Sequence, residues 1–401
     1  MSFRRRVGST AFFLLIPLIS AITPLIALPA ISRSVGAAGW AAIAIAQSFG
    51  AGAAIIGELG WSIVGPQLVA RSLVLAQAQL FQRAMASKIA VGSLLALGAG
   101  TFAGLMAQSL SMVAALVGVA SGLGCLNSIW FFIGQNRPIA IVVTDSVPRL
   151  LAVTAAAVAL HFGAPIIVFP IGLFLGICSS YVLGARAAGT RIFPAGSDFR
   201  TVSQTLSRQS TLIGGRAVSS LYTALPIAIV GLVSPQSVAA FAAAERLMRM
   251  GLNAVSAIPN RLQHWLGSSP STEENYRIKA SLFINLCVGA LSATIFLLAA
   301  PFAISVLFAA TIALEPVPLV LCSAVILLIC TSRGLGLALV AVAKARMISV
   351  ASILSAVVGT ASFLMLAKEF GVSGGFAAEI LAEFTGLLVQ VLVLFRLFRR
   401  S

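Results

Sequence analysis

Charge is scarce in this sequence. Only 9% of its 401 residues are Asp, Glu, Lys or Arg, against roughly a quarter in ordinary soluble domains, which leaves too little to clothe a water-facing surface. Acid is scarcer still, with 10 Asp and Glu against 26 Lys and Arg, and histidine occurs only twice. The five cysteines, Cys125, Cys178, Cys287, Cys322 and Cys330, are scattered through apolar stretches. With no Cys-x-x-Cys pair and no interleaved histidine, they suggest neither a disulfide framework nor a zinc site and read as packing residues. No metal and no cofactor are expected. Long polar segments are missing too: the longest gaps, 189–208 and 259–279, are too short to fold independently. That excludes a separate soluble catalytic module.

What is abundant is hydrophobic sequence, 59% of all residues. A helix that crosses a bilayer needs roughly 20 mostly apolar residues, because its backbone must satisfy its own hydrogen bonds across a hydrocarbon core about 30 Å thick. Twelve segments meet this requirement: 10–31, 39–64, 84–106, 109–133, 139–161, 164–188, 209–232, 236–258, 280–309, 316–342, 347–368 and 374–397. The expected fold class is all-α, a polytopic membrane protein of about twelve transmembrane helices. Arg4, Arg5 and Arg6 before an apolar run imitate a secretory signal peptide. The run from Thr10 to Ile31 is too long for one, carries Pro17, Pro24 and Pro29, and precedes many further spans, so it reads as the first span.

The net charge of +16 would suggest a nucleic-acid partner in a soluble protein. Here the basic residues fall mostly in short gaps between apolar runs and report topology instead. One side holds Arg4–Arg6, then Arg71, Arg83 and Lys88, then Arg137, then Arg186, Arg191, Arg200 and Arg208, then Arg261, Arg277 and Lys279, then Lys344 and Arg346, and last Arg396, Arg399 and Arg400. The other holds only Arg33 and Lys368. Since Lys- and Arg-rich loops stay in the cytoplasm, both termini are expected there, in an inner membrane. The lipid bilayer is the expected partner, not nucleic acid.

The 190–208 gap divides the chain into halves, 1–189 and 209–401, each with six expected spans. VGAAGWAAIA (35–44) lies over QSVAAFAAAE (236–245), setting Trp40 against Phe241. Both stretches open the second span of their half, as parallel transporter repeats do.

An ionised group at mid-bilayer costs at least a few kcal/mol, so such groups face a bundle interior or a wet cavity. On this topology they are Glu58, Asp145, Arg149, Arg216, Glu245, Arg246, Arg249, Arg333, Glu379 and Glu383. Asp145 and Arg149 are spaced i, i+4, as are Glu245 and Arg249, so each pair shares a helix face. Glu245, Arg249, Asn253 and Ser256 form a longer polar stripe. Each pair fits two readings: a face toward water or ligand, or a neutralised staple between helices. Arg216 and Arg333 have no sequence-local partner and are assigned to a cavity. Glu58, beside Trp61, also fits a headgroup contact. Five arginines balance five acids, and Glu379 and Glu383 occupy one face that can lie far from the arginines. Pro148 beside Arg149 suggests a kink at the candidate cavity.

Three stretches resemble the bacterial polysaccharide flippases of the O-antigen (Wzx) type. They are Leu28–Ala70 with its LPAISRSVGAAGW opening, WFFIGQNRPIAIVVTDSVPRLLAV (130–153), and VAAFAAAERLMRM (238–250). These proteins belong to the superfamily that includes multidrug and toxin extruders and the lipid II flippase. The resemblance implies two six-helix lobes around a central cavity. It implies translocation of an undecaprenyl-diphosphate-linked oligosaccharide by alternating access, for O-antigen or exopolysaccharide synthesis, with no enzymatic activity. Substrate-contacting residues would then be Arg149, Arg216, Arg333, Arg249 and Asn253, the guanidinium groups meeting diphosphate or acidic sugars. Asp145, Glu245, Glu379 and Glu383 would serve charge pairing or ion coupling, with a proton or sodium gradient as the driving force. A monomer is expected, with a polysaccharide polymerase or chain-length protein as protein partner.

The main rival, a cation-coupled multidrug or metabolite exporter, would carry an acid in an early span, and the first span has none. Lipid II flippases usually add two further spans. A polymerase, ligase or glycosyltransferase needs a large loop or a carboxylate motif, and no loop here is long enough.

Overall fold

The computed structural model describes residues 3–398 except 108, 257, 260, 261, 263, 264, 267–272, 343 and 345; Arg261, Arg399 and Arg400 of the expected cytoplasmic set lie outside the described residues. Among the described residues every regular element is helical. In chain order the helices are α1 (Phe3–Gly57), α2 (Trp61–Arg71), α3 (Val74–Ser87), α4 (Ser93–Met106), α5 (Ser111–Gly122), α6 (Ile129–Gly134), α7 (Pro138–Ile141), α8 (Val147–His161), α9 (Val168–Ala187), α10 (Gly196–Phe199), α11 (Val202–Thr223), α12 (Pro226–Val233), α13 (Val238–Ala254), α14 (Glu274–Leu307), α15 (Pro316–Ala341) and α16 (Arg346–Phe398).

Eight helical stretches among the described residues are long and apolar enough to cross a membrane. The twelve-span reading is recovered when two features are considered. First, α1 (55 residues) and α16 (53 residues) are far longer than a bilayer requires, since roughly 20 residues suffice. Each is broken by one glycine with positive φ, Gly36 (φ 63°, ψ −168°) and Gly371 (φ 54°, ψ −125°), giving two arms apiece. Second, the expected spans 209–232 and 236–258 fall on α11 with α12 and on α13. These are helical but carry Arg216, Glu245, Arg246 and Arg249, which lowers their hydropathy.

The outer faces suit lipid. Leu94, Leu97, Phe102 and Leu105 project from α4, and Phe283, Leu291, Leu298 and Phe302 from α14, all exposed; such stripes would be a severe aggregation hazard in water.

The described chain forms two compact units, Met1–Ala228 and Ile229–Ser401. In the first, α1 packs on α4, α5 and α8, and α8 on α9. With lipid on the outside, association depends on close van der Waals contact, and small residues permit it. A methyl on Gly100 would meet the Ala115 carbonyl at 2.7 Å, and one on Gly122 the Ala96 Cα at 2.7 Å. One end of this unit is filled by Trp61, Phe81, Trp130, Phe131 and Phe132. The contacts also place α11 in this unit, beyond the 190–208 segment read as a linker. Ser48 fastens its end: the hydroxyl donates to the Ala224 carbonyl at 2.5 Å and accepts from the Ala228 amide at 3.2 Å, filling the gap in helix bonding before Pro226.

In the second unit α15 packs between α14 and α16, and α13 lies against all three. Phe241, Phe363 and Phe376 form an aromatic group there, with 4.8 Å between the Phe241 and Phe376 ring centroids. Trp40 and Phe241, the aligned aromatics of the two halves, are both fully buried in their own units.

Candidate functional site: ion clusters inside the helices

The first unit gathers its charges where helices are irregular. Two π-turns occur in it, Lys88–Gly92 between α3 and α4 and Val142–Ser146 between α7 and α8. Such turns widen a helix and re-aim side chains. Each presents one buried ionisable group, Lys88 or Asp145. The second π-turn also accommodates Pro148, whose ring faces the backbone four residues earlier, at Thr144. The irregularity expected at Pro148 is therefore a widened turn just before α8.

Asp145 accepts a hydrogen bond from the Ser180 hydroxyl of α9 at 2.7 Å and an ion pair from Arg149 Nη2 at 3.1 Å. α9 comes close enough because Gly176 lies over Arg149, where an added methyl would be 3.2 Å from the Arg149 Cα. Arg149 remains partly exposed, and its Nε has no hydrogen-bond partner.

Arg216, which has no sequence-local partner, has two distant ones, both on α1 or just past its end. Its Nε donates to the Ile55 carbonyl at 3.0 Å and its Nη2 to Glu58 Oε2. The second Glu58 oxygen accepts from Asn127 Nδ2 at 2.9 Å, and the Asn127 carbonyl accepts from Lys88 Nζ at 3.1 Å. Glu58 therefore ties α11 to the 3₁₀ turn after α5. It is the acceptor on which the Arg216 and Asn127 donors converge.

Lys88, counted with the charges of the cytoplasmic gaps, lies inside a helical stretch and not in a loop. It is fully buried, with its ammonium 5.7 Å from the Trp130 ring centroid, in a cation–π arrangement. The continuous helical stretch runs Val74–Met106, so Lys88 lies near its middle. The apolar run that follows it, Ile89–Met106, was the available signal, while Gln82 and Arg83 before it pointed the other way. Glycines make the site compact: a methyl on Gly92 would be 2.4 Å from Cys125 Sγ.

The second unit is organised around Arg249. Its Nε donates to Glu245 Oε1 at 2.9 Å, and its Nη2 stands 3.7 Å from Glu379 Oε1. Glu379, whose face could have lain far from the arginines, faces one. It is 2% exposed, and neither of its oxygens has a hydrogen-bond partner. Glu383 lies one turn further along α16, partly buried, and Arg246 is partly buried on α13. Arg333 of α15 reaches α13, donating to the Leu252 carbonyl at 3.4 Å. Asn253 is exposed. The expected stripe therefore divides, with Glu245 and Arg249 turned inward and Asn253 outward.

Pockets inside the individual units have other linings. One in the first unit is bounded by Phe174, Tyr181 and Phe193, and one in the second by Leu252, Phe296 and Ile326. Both are apolar, and none of the ionised residues above lines either of them.

No sequence-family model matches the chain, and no characterised protein matches it by sequence. Solved structures do match, along nearly its whole length. An inward-facing multidrug resistance MATE family transporter of the MOP superfamily aligns with a TM-score of 0.64 at 12% identity, covering 98% of this chain and 99% of that one. The lipid II flippase MurJ in an inward closed conformation gives a TM-score of 0.67 at 13% identity, covering 97% and 87%. The MATE multidrug transporter DinF-BH in complex with R6G gives 0.61 at 18% identity, covering 96% and 93%. The chain has the all-helical, multi-pass membrane fold of these transporters.

Proposed function

We propose that this protein is an inner-membrane flippase that moves an undecaprenyl-diphosphate-linked oligosaccharide between leaflets by alternating access, serving surface polysaccharide synthesis. The fold likeness spans nearly the whole chain and includes a flippase of a lipid-linked substrate. The observation that carries the substrate class is Arg149: a guanidinium on a membrane helix, partly exposed, and paired with Asp145 through one Nη. Asp145 and Ser180 fix the orientation of that fork while donors remain for an anion. Arg333, held by one long bond to a carbonyl, is the corresponding group of the second unit. A diphosphate matches such groups because each guanidinium offers paired donors in one plane. A polysaccharide polymerase or chain-length protein would act beside it, and both termini would lie in the cytoplasm.

A second reading, a cation-coupled multidrug or metabolite exporter, is favoured by the two acids around Arg249 and by the multidrug transporters among the structural neighbours. One experiment separates them. Deleting the gene should trap lipid-linked glycan on the cytoplasmic leaflet and strip the surface polysaccharide. Arg149→Ala and Arg333→Ala should reproduce that loss while still inserting in the membrane. Normal surface polysaccharide with new drug sensitivity in the deletion strain would transfer the assignment to the exporter.

A further inference from the structure

Glu379 presents a problem of charge. It lies in a helix of a membrane fold, 2% exposed, and neither carboxylate oxygen has a protein hydrogen-bond donor. An ionised carboxylate stripped of water and donors costs several kcal/mol even beside a cation. Its neighbour cannot supply the missing bonds. Arg249 directs its Nε to Glu245 at 2.9 Å and holds its Nη2 3.7 Å from Glu379, outside hydrogen-bond range.

The surroundings sharpen this. From α13 come Glu245 and Arg249, with Arg246 on the same helix; α15 brings the Cys322 thiol, and further along Arg333; Glu383 is a turn away on α16 itself. The 3₁₀ turn Pro235–Ser237, which also packs on α16, brings no charge. One turn before Glu245 is Phe241, and three residues before Glu379 is Phe376, with those rings in contact. Water is thereby excluded from one side. Two carboxyl groups thus share one guanidinium, and the arginine is already committed to the other.

We propose that Glu379 is a proton-binding site: in this conformation its carboxyl is neutral and Arg249 pairs with Glu245 alone. A metal cation fits less well, because the guanidinium stands beside both carboxyl groups and would repel it. Loss of the proton would leave two carboxylates competing for one arginine. Arg249 would then close the 3.7 Å gap to Glu379 and loosen its hold on Glu245, a rearrangement on the helix whose Leu252 carbonyl holds Arg333. The step is a simple one: the carboxyl O–H breaks, the proton leaves to water, and the negative charge stays on Glu379 and is met by Arg249. This inference concerns the coupling ion and does not depend on what the protein transports.

The test is infrared difference spectroscopy on the full-length protein in lipid nanodiscs at neutral pH, with no substrate present. The wild type should show the carbonyl stretch of a protonated carboxylic acid. Glu379→Gln should lose that band, and Glu245→Gln, which frees Arg249 to pair with Glu379, should weaken it. Raising the pH should bleach the band in wild type as a carboxylate band grows. Absence of a Glu379-dependent protonated band at neutral pH would overturn the proposal, and so would a Glu379 carboxylate band that shifts on adding sodium. Should Glu379→Gln fail to fold, Glu379→Asp carries the assignment, because it should shift the protonated band without removing it, and an unshifted band would overturn the proposal.

Discussion

Glu58 and Glu379 invite comparison, because each is an acid on a membrane helix beside an arginine, one in each unit. Glu58 is surrounded by donors: Arg216 and Asn127 bind its two oxygens, and Lys88 is attached through the Asn127 carbonyl. Two cations face one acid. Around Glu379 the proportion is reversed, with two acids facing Arg249 and no hydrogen bond reaching Glu379. The same residue type is thus a structural joint in the first unit and a group open to titration in the second. Donor count decides which, because a satisfied carboxylate is stabilised in its charged form and an unsatisfied one is not.

The contrast can be broken by matched substitutions. Glu58→Gln should have the largest effect, about 3 kcal/mol of lost stability, because it strands Arg216 and Lys88 without their counter-charge. Thermal unfolding in nanodiscs measures it, and a second change, Arg216→Gln, should recover part of the loss through the coupling of the pair. Ser180→Ala comes next, at about 1.5 kcal/mol, since it removes the hydroxyl donor from the charged Asp145; the same melt reads it. The smallest effect belongs to Glu379→Gln, less than about 1 kcal/mol, because a neutral amide replaces a neutral acid of the same shape. If its melting temperature fell as far as that of Glu58→Gln, Glu379 would be ionised and the contrast between the units would disappear.

Much of this was readable in advance, and for definite reasons. Apolar runs announce membrane helices because lipid tolerates little else. The pairs Asp145–Arg149 and Glu245–Arg249 were visible because helical periodicity puts i and i+4 side by side, and both form. Pairings across the fold were not visible. Arg216 finds Glu58 from 158 residues away, and Arg249 meets Glu379 from another helix. No local spacing encodes either. Lys88 misled for a different reason. Its neighbours Arg83 and Arg71 suggested a loop, while the helix begins at Val74 and carries Lys88 into the interior.

Gly36 has a consequence of its own. A methyl group there would meet nothing within 4 Å, so crowding does not demand glycine. Handedness does. With φ 63° and ψ −168°, the backbone occupies a region that is essentially closed to L-residues and is the mirror image of one they adopt freely. The fold should therefore accept D-alanine at this position and resist L-alanine, two residues identical in composition, size and hydrophobicity. At that bend the polypeptide follows the opposite chirality for a single residue, and that residue is what lets one long helix become two.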